Sequence, residues 1–244
     1  MRIGCDLDGV LANLHRAFTS AAVQLFPELD AASLASADVG ASPPDAEPAE
    51  ESEVPAAETE PRRPVLTRRQ LDAVWKHLAS ITDFWETLDE IETGAIARLA
   101  ALAEAHRWEV IFLTSRPYAQ GRTLQRQSQR WLDRLGFPMP SVYVVQGSRG
   151  RIADALGLEV VIDDRPENCL DVVLESQARA ILVWRGTVAS IPASAKRLGI
   201  GVVPSVAACL DLLVEAQRSA DTPLDFMQRL RKLLGLQTRP ATKS

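Results

Sequence analysis

Short apolar runs alternate with amphipathic helical patterns along most of the chain. Five of these runs predict buried strands, at Ile3–Asp6, Glu109–Thr114, Val142–Val145, Glu159–Asp163 and Ala180–Trp184, and a weaker sixth lies at Gly201–Val203. Nearly continuous apolar strands that alternate with helices are typical of a parallel sheet covered on both faces. The pattern therefore predicts an α/β fold, in which ligands bind at the carboxyl ends of the strands.

Helical patterns fill most of the intervals between these strands, at Thr93–Ala105, Gly121–Leu135, Arg149–Leu156 and Pro166–Gln177. Two more, Leu14–Phe26 and Thr67–Ser80, lie between the first two strands, in an interval far longer than one crossover needs. We therefore predict a small helical cap inserted after the first strand. The expected boundaries are core residues 1–14, cap residues 15–95, core residues 96–213 and a C-terminal segment over residues 214–244.

Two segments of this plan have unusual composition. Residues 38–64 are rich in Pro and Glu and contain no aromatic residue, so they predict a disordered insert in the cap. The insert is either a docking tail or a tolerated surface insertion. Near the C-terminus, Pro223–Leu236 predicts a basic amphipathic helix, which packs on its own domain or contacts a partner or a membrane surface.

Composition and charge exclude several classes of protein. The net charge is −5, but the insert carries most of the acidic excess, and the remainder is close to neutral, so we expect no nucleic-acid surface. The longest apolar runs are far shorter than the roughly 20 residues of a membrane helix. The three cysteines form neither a disulfide framework nor a metal-spaced pair, which excludes structural zinc. Because the N-terminus runs directly into a strand, we expect a cytoplasmic protein without a secretion signal.

Acidic residues follow two of the predicted strands. Asp6 and Asp8 end the first strand in an Asp-x-Asp-Gly turn, a pattern that also occurs in calcium loops and ordinary turns, although the remaining calcium ligands are lacking. Asp163 and Asp164 end the fourth strand, where their like charges repel unless a cation such as Mg²⁺ offsets them. Asp164 could also cap the next helix, which begins at Pro166, instead of or together with binding a cation.

Groups that bind anions are predicted near the same edge of the sheet. Thr114 and Ser115 end the second strand, where a hydroxyl binds an anionic oxygen or only caps a helix. Arg149 and Arg151 lie in the glycine-containing stretch 147–151 (GSRGR) before the fourth strand, either as phosphate-binding cations or as solvated surface residues. Carboxylates for a dication together with groups for a phosphoryl anion indicate phosphoryl transfer. No histidine is placed for a Ser-His or Cys-His system.

These stretches together resemble the haloacid dehalogenase-like phosphohydrolase superfamily, and they occur along the chain in the same order as its motifs. Within that superfamily they are most similar to the 5′(3′)-deoxyribonucleotidases and their bacterial relatives. The resemblance lies in residues 6–12 (DLDGVLA), residues 84–88 (FWETL) leading into Gly94, and residues 162–166 (IDDRP). It implies a three-layer α/β/α, Rossmann-like core with strand order 5-4-1-2-3 and a helical cap. It also implies Mg²⁺ as cofactor and a small phosphorylated substrate. The similarity to the deoxyribonucleotidases implies that this substrate is a nucleotide.

The resemblance further implies a role for each matching residue. Asp6 is the expected nucleophile and a metal ligand, Asp8 is the general acid and base whose carbonyl also binds Mg²⁺, and Thr114 is the residue that holds a phosphoryl oxygen. Asp164 is expected to bind the metal directly, and Asp163 either directly or through an intermediate group. The family usually has a lysine at the cationic position. Here the expected replacement is Arg151, with Arg149 in reserve. Ser115 is expected beside the substrate.

Substrate choice is expected in the cap, where Trp75, Phe84 and Trp85 either stack a nucleobase or form the core of the cap. Other functions stay open. The chain could be a catalytically weak binding or regulatory protein, because it lacks the usual lysine, or a phosphatase for other small phosphate esters. An enzyme that processes polynucleotide ends is disfavoured by the near-neutral charge. The sequence leaves a homo-oligomer open.

Overall fold

A computed structural model of the protein describes residues 1–30, 34, 66–144 and 146–218. The described residues form six strands, β1 (Arg2–Asp6), β2 (Glu109–Thr114), β3 (Ser141–Val144), β4 (Val160–Asp163), β5 (Arg179–Val183) and β6 (Gly201–Val203). They form one sheet in the order β3-β2-β1-β4-β5-β6, and every neighbouring pair is parallel. The predicted α/β class with a parallel sheet is confirmed, and the weak sixth strand is present.

Eight α-helices of the described residues accompany the sheet. They are α1 (Leu14–Leu25), α2 (Arg68–Ser80), α3 (Ala95–His106), α4 (Leu124–Arg134), α5 (Arg149–Ala155), α6 (Pro166–Glu175), α7 (Ala193–Leu198) and α8 (Val206–Arg218). The first six coincide with predicted patterns, whereas α7 and α8 were not predicted. Local signals explain several starts: Thr67 and Gln70 form a capping box before α2, and the Ser148 side chain caps α5. Short 3₁₀ helices cover Phe84–Glu86 and Val188–Ser190.

The chain divides into two compact units. The first contains Met1–Ala12, Glu90–Ser115 and Leu132–Ser244, of which the residues after 218 are not described, and it includes the whole sheet. Its core lies where apolar residues of the strands, such as Val161 and Leu182, pack against Val172 of α6 and other helical residues. The sheet is buried because these near-continuous apolar strands are covered by helices.

The second unit contains Asn13–Asp89 and Arg116–Trp131, and its described residues are mainly helical. The boundaries expected from the sequence placed Arg116–Trp131 in the core, within residues 96–213. The structure differs because α4 packs within the helical unit: the Trp131 indole N–H donates to the Leu88 carbonyl at 2.7 Å.

Two predicted segments lie outside the described residues, the insert at 38–64 and the helix at Pro223–Leu236. In the part of the chain that is described, no helix combines the length and apolar character needed to cross a bilayer.

Candidate active site

Three neighbouring strands end in polar residues at one edge of the sheet. β1 lies between β2 and β4, with Asp6 level with Leu113 and Cys5 level with Ile162. Asp6, Thr114 and Asp163 are therefore the last residues of adjacent strands, and all three are buried. The parallel arrangement brings together at this edge residues that are far apart in sequence, as the strand-end rule predicts.

A tight turn follows β1. The N–H groups of Leu11 and Ala12 donate to the Leu7 carbonyl at 2.9 and 2.7 Å, and the Gly9 N–H donates to the Ala12 carbonyl at 3.0 Å. Gly9 has a φ of +88°, and a Cβ atom there would lie 2.0 Å from Asp164 Oδ2. Glycine is required for both reasons, since the backbone is left-handed and Asp164 packs directly against it.

Asp8 and Thr114 are in direct contact. The Thr114 hydroxyl donates a hydrogen bond of 3.1 Å to Asp8 Oδ2, which links the turn after β1 to the end of β2. Asp8 is partly exposed and Ser115 is exposed, so both can meet solvent or a ligand. The bond fixes the position of the Asp8 carboxylate, while Thr114 itself is buried.

Arg149 is the cation that contacts Asp6. Its Nη2 lies 2.5 Å from Asp6 Oδ1, its Nε lies 3.6 Å from Asp163 Oδ2, and its side chain is only 4% exposed. Within the described part of the chain, its buried Nε and Nη1 atoms have no hydrogen-bond partner. Arg149 thus presents a guanidinium with unused donors to the acidic cluster, in the fork geometry that suits phosphate.

The expectation that Arg151 would take this cationic position is corrected by the structure. The Arg151 side chain is 83% exposed and lies 3.6 Å from Glu175. Both arginines belong to the first turn of α5, and successive helical residues are rotated by about 100°. Arg149 and Arg151 therefore project to nearly opposite sides of the helix, and only Arg149 reaches the strand ends.

Asp163 is held by protein partners. Its Oδ1 accepts the Arg165 backbone N–H at 2.9 Å, and both of its oxygens lie 3.0 Å from the Asn168 amide nitrogen. Asn168 did not stand out in the sequence, although an amide in the first turn of a helix after a strand-end acid was an available signal. The N-cap residue of α6 is Arg165 and not Asp164, and no side-chain hydrogen bond caps the helix there. The prediction that Asp164 caps α6 is therefore wrong.

The cluster carries more negative charge than its protein partners offset. Burial and the charge of Asp163 raise the pKa of Asp6 well above its ordinary value, although Arg149 lowers it. Burial also raises the pKa of Asp163, and Arg149 counters this only in part. Burial and the neighbouring Asp163 raise the pKa of Asp164 to about 7. A bound cation would relieve these shifts by stabilising the ionised carboxylates.

The donor set fits Mg²⁺. Among the described residues, no group of three or more His, Cys, Asp or Glu side chains is arranged to hold a metal ion. Mg²⁺ does not require such a group, because it is usually held by one or two carboxylates together with water and phosphate oxygens. Asp164 Oδ1 is buried and has no hydrogen-bond partner in the described part of the chain. Asp164 and Asp6 are therefore the residues that could hold the ion.

Arg185 is a site residue that the sequence analysis missed. It follows β5, and its guanidinium donates to the Gly9 and Val10 carbonyls at 2.6 and 3.0 Å. It also forms an ion pair of 2.9 Å with Glu92. The only signal in the sequence was its position after a strand, since neither neighbour of Arg185 is acidic.

The three aromatic residues expected to stack a nucleobase are buried within the helical unit. Trp75, Phe84 and Trp85 are 8%, 3% and 1% exposed. The Trp75 ring packs against Phe18 at 5.3 Å, and the Trp85 ring packs edge-on against Phe84 at 4.8 Å. Because no ring offers an open face, the structure gives them a packing role and does not support base stacking.

A scan against models of protein families finds no match for this chain, and a search of curated proteins finds no similar sequence.

Proposed function

We propose that this protein is a Mg²⁺-dependent phosphomonoester hydrolase of the haloacid dehalogenase-like superfamily, with Asp6 as its nucleophile. The observation that supports this most strongly is the buried contact between Arg149 and Asp6. It lies at the carboxyl ends of the strands, beside the Asp8–Thr114 pair. A carboxylate, a cation with unused donors and a second carboxylate are the groups that covalent phosphoryl transfer needs.

In the first half-reaction, the Asp6 carboxylate attacks the phosphorus of the ester. The bond between phosphorus and the alcohol oxygen breaks, and Asp8 donates a proton to that leaving oxygen. The product alcohol departs, and the phosphoryl group is left on Asp6 as an acyl phosphate. Splitting one displacement into two lowers the barrier of each step.

In the second half-reaction, Asp8 removes a proton from a water molecule that attacks the same phosphorus. The bond between phosphorus and the Asp6 oxygen breaks, which releases inorganic phosphate and restores both carboxyl groups. The hydrogen bond from Thr114 to Asp8 Oδ2 keeps the carboxylate that serves both steps in one orientation. The net reaction converts a phosphate ester and water into an alcohol and phosphate.

Arg149 supplies positive charge to the transferring group. Its Nη1 is a buried donor without a hydrogen-bond partner among the described residues, and donors aimed at developing charge in a site that excludes water stabilise the transition state strongly. A Mg²⁺ ion held by Asp164 and Asp6 would further neutralise the charge of the phosphoryl oxygens. Asp163, engaged by Asn168, would act by keeping Arg149 in place.

The fold agrees with this proposal. The order β3-β2-β1-β4-β5-β6 contains the 5-4-1-2-3 order that the resemblance implies, with β6 added at one edge. The helical unit formed largely by Asn13–Asp89 supports the expected cap after the first strand.

We propose a small nucleotide as the substrate. This choice depends on the resemblance of residues 6–12, 84–88 and 162–166, and the burial of the cap aromatics removes base stacking as an argument for it. A near-neutral chain outside the insert agrees with a small ligand better than with a polynucleotide.

The proposal is tested by measuring phosphate release from a panel of 5′ and 3′ nucleoside monophosphates, sugar phosphates and p-nitrophenyl phosphate. We expect turnover with Mg²⁺, loss of turnover with a chelator and recovery when Mg²⁺ is restored. Faster hydrolysis of sugar phosphates than of every nucleotide would overturn the proposed substrate class. The absence of hydrolysis of any ester would overturn the proposal that the protein is a phosphatase.

A second candidate is phosphate binding without turnover. It is favoured by one observation, the occupation of Asp6 Oδ1 by the Arg149 guanidinium, which must be displaced or shared before Asp6 attacks. Equilibrium binding of inorganic phosphate with Mg²⁺, combined with no hydrolysis across the panel, would establish this function instead.

A further inference from the structure

Arg185 and Glu92 form a polar bridge within the sheet-containing unit that the proposed chemistry does not use. Arg185 Nη1 donates to the Gly9 carbonyl at 2.6 Å and Nη2 to the Val10 carbonyl at 3.0 Å. These carbonyls belong to the two residues that directly follow Asp8. One side chain, 176 positions away in sequence, therefore holds both peptide groups of the turn after β1.

Glu92 holds Arg185 from the other side. Its Oε1 lies 2.9 Å from Arg185 Nη2 and also accepts the Val206 N–H at 2.8 Å, while its Oε2 accepts the Ala207 N–H at 2.9 Å. Val206 and Ala207 are the first residues of α8, whose free N–H groups favour a carboxylate. Glu92 is thus anchored on a helix and gives the guanidinium one orientation.

The turn that Arg185 holds is in close contact with two acids. Asp8 immediately precedes it, and Gly9 packs against the Asp164 carboxylate so closely that no Cβ atom fits. A shift of the turn would therefore move Asp8 relative to its partner Thr114. Because a misplacement of about 1 Å can cost a factor of about 100 in rate, this turn must be held firmly.

We propose that Arg185, oriented by Glu92, is a positioning residue that holds the Gly9–Val10 turn so that Asp8 is aligned for proton transfer. This inference rests on the proposed phosphatase activity, and it assigns a role to a residue outside the acidic cluster. A planar guanidinium is suited to it, because its fork bonds two successive carbonyls and a carboxylate at once, which a lysine ammonium cannot do in the same geometry.

The kinetic test compares Arg185→Ala with Arg2→Ala, using p-nitrophenyl phosphate at saturating Mg²⁺. Arg2 is the matched control, because it also bonds a carboxylate, Glu109, and a backbone carbonyl, Leu156, but at the opposite edge of the sheet. We expect Arg185→Ala to lower kcat by about 100-fold with little change in KM. Arg2→Ala should leave both constants near those of the wild type.

Chemical rescue by guanidinium ion and two further variants distinguish a positioning role from a general loss of stability. The Arg185 side chain is 32% exposed, so added guanidinium ion can reach the space that Arg185→Ala leaves, and we expect it to restore part of kcat. It should not change the rate of Arg2→Ala. Glu92→Gln should lower kcat less than Arg185→Ala, and Arg185→Lys should recover only part of the lost rate.

Hydrogen exchange tests the same inference without activity. In Arg185→Ala, the amides of Gly9, Leu11 and Ala12 should exchange about tenfold faster, whereas those of β2 should not change. If exchange in the turn is unchanged, or kcat is unchanged in an active enzyme, the positioning role is wrong. A wild-type protein without any hydrolysis would overturn the phosphatase proposal, and the exchange rates would then alone decide whether Arg185 holds the turn.

Discussion

Arg149 Nη2 lies 2.5 Å from Asp6 Oδ1 in a buried ion pair, although the two residues are 143 positions apart in sequence. The contact forms because α5 begins at Arg149, next to the carboxyl end of β1. Breaking a buried pair by removing one partner leaves an uncompensated charge, which is costly. Removal of Arg149 is therefore expected to lower stability, whereas removal of the Asp6 charge leaves Arg149 with Asp163, 3.6 Å away, as an ionic partner.

The two arginines of α5 should differ sharply when each is replaced by methionine. Arg149→Met removes the guanidinium beside Asp6, and we expect kcat/KM to fall by about 100-fold or more, as for loss of a donor at developing charge. Arg151→Met removes only an exposed ion pair with Glu175, so its activity should stay within about twofold of the wild type. Steady-state kinetics on one phosphate ester measures both, and the reverse ranking would restore Arg151 to the cationic position.

Asp6→Asn should abolish turnover without unfolding the protein. The amide has almost the same volume but cannot act as the nucleophile, so we expect activity to fall by about a thousandfold or more. Circular dichroism and the thermal midpoint should show a folded chain, because Asp163 still offsets the charge of Arg149 and one of several repelling carboxylates is removed. The matched control, Asp154→Asn on the exposed side of α5, should keep full activity. Hydrolysis by Asp6→Asn near the wild-type rate would exclude Asp6 as nucleophile.

Mg²⁺ should stabilise the wild-type protein by neutralising the acidic cluster. At Mg²⁺ about 100-fold above its Kd, linkage adds about 2.7 kcal/mol, which corresponds to a rise in Tm of roughly 5–10 °C. Asp164→Asn should lose this rise and should have a higher Tm than the wild type without Mg²⁺ at neutral pH, because burial and Asp163 disfavour the ionised Asp164. Asp154→Asn should respond like the wild type. An equal response of Asp164→Asn would remove Asp164 from the metal site.

Protonation of Glu92 should make the protein less stable in acid. Its partial burial raises its pKa, but hydrogen bonds from the Val206 and Ala207 N–H groups and from Arg185 lower it further, so the net pKa lies below the ordinary value of 4.5. Between the two pKa values the unfolded state binds more protons, and stability therefore rises with pH in that interval. The contribution of Glu92 is complete above pH 4.5 and is lost as the pH falls through the folded-state pKa.

Urea unfolding between pH 6 and pH 3 measures this effect. Glu92→Gln should be less stable than the wild type at pH 6, and the difference between the two proteins should shrink towards pH 3. The control Glu104→Gln, at an exposed position on α3, should follow the wild-type curve throughout. A difference between Glu92→Gln and the wild type that does not change with pH would show that the carboxylate charge plays no part.

The acids of the site could be placed from the sequence, whereas several of their partners could not. Asp6 and Asp163 follow apolar runs whose strand character is evident from composition alone, and parallel strands bring their carboxyl ends to one edge. Asn168 and Arg185 reach the same edge from a helix and from the residues after β5, where no periodic signal marks them. Their roles follow from side-chain direction and reach, which periodicity does not give.

The parallel α/β sheet, its six described strands and the edge at which polar residues gather could all be predicted from the amino-acid sequence, because apolar periodicity and strand-end chemistry are local properties of the chain. That Arg149 rather than Arg151 faces Asp6 depends on the three-dimensional fold, since two positions along a helix turn the side chain to the opposite side. The place of the Trp85 ring in a packed core likewise emerges only from the fold, because the burial of an aromatic ring depends on neighbours that are distant in sequence.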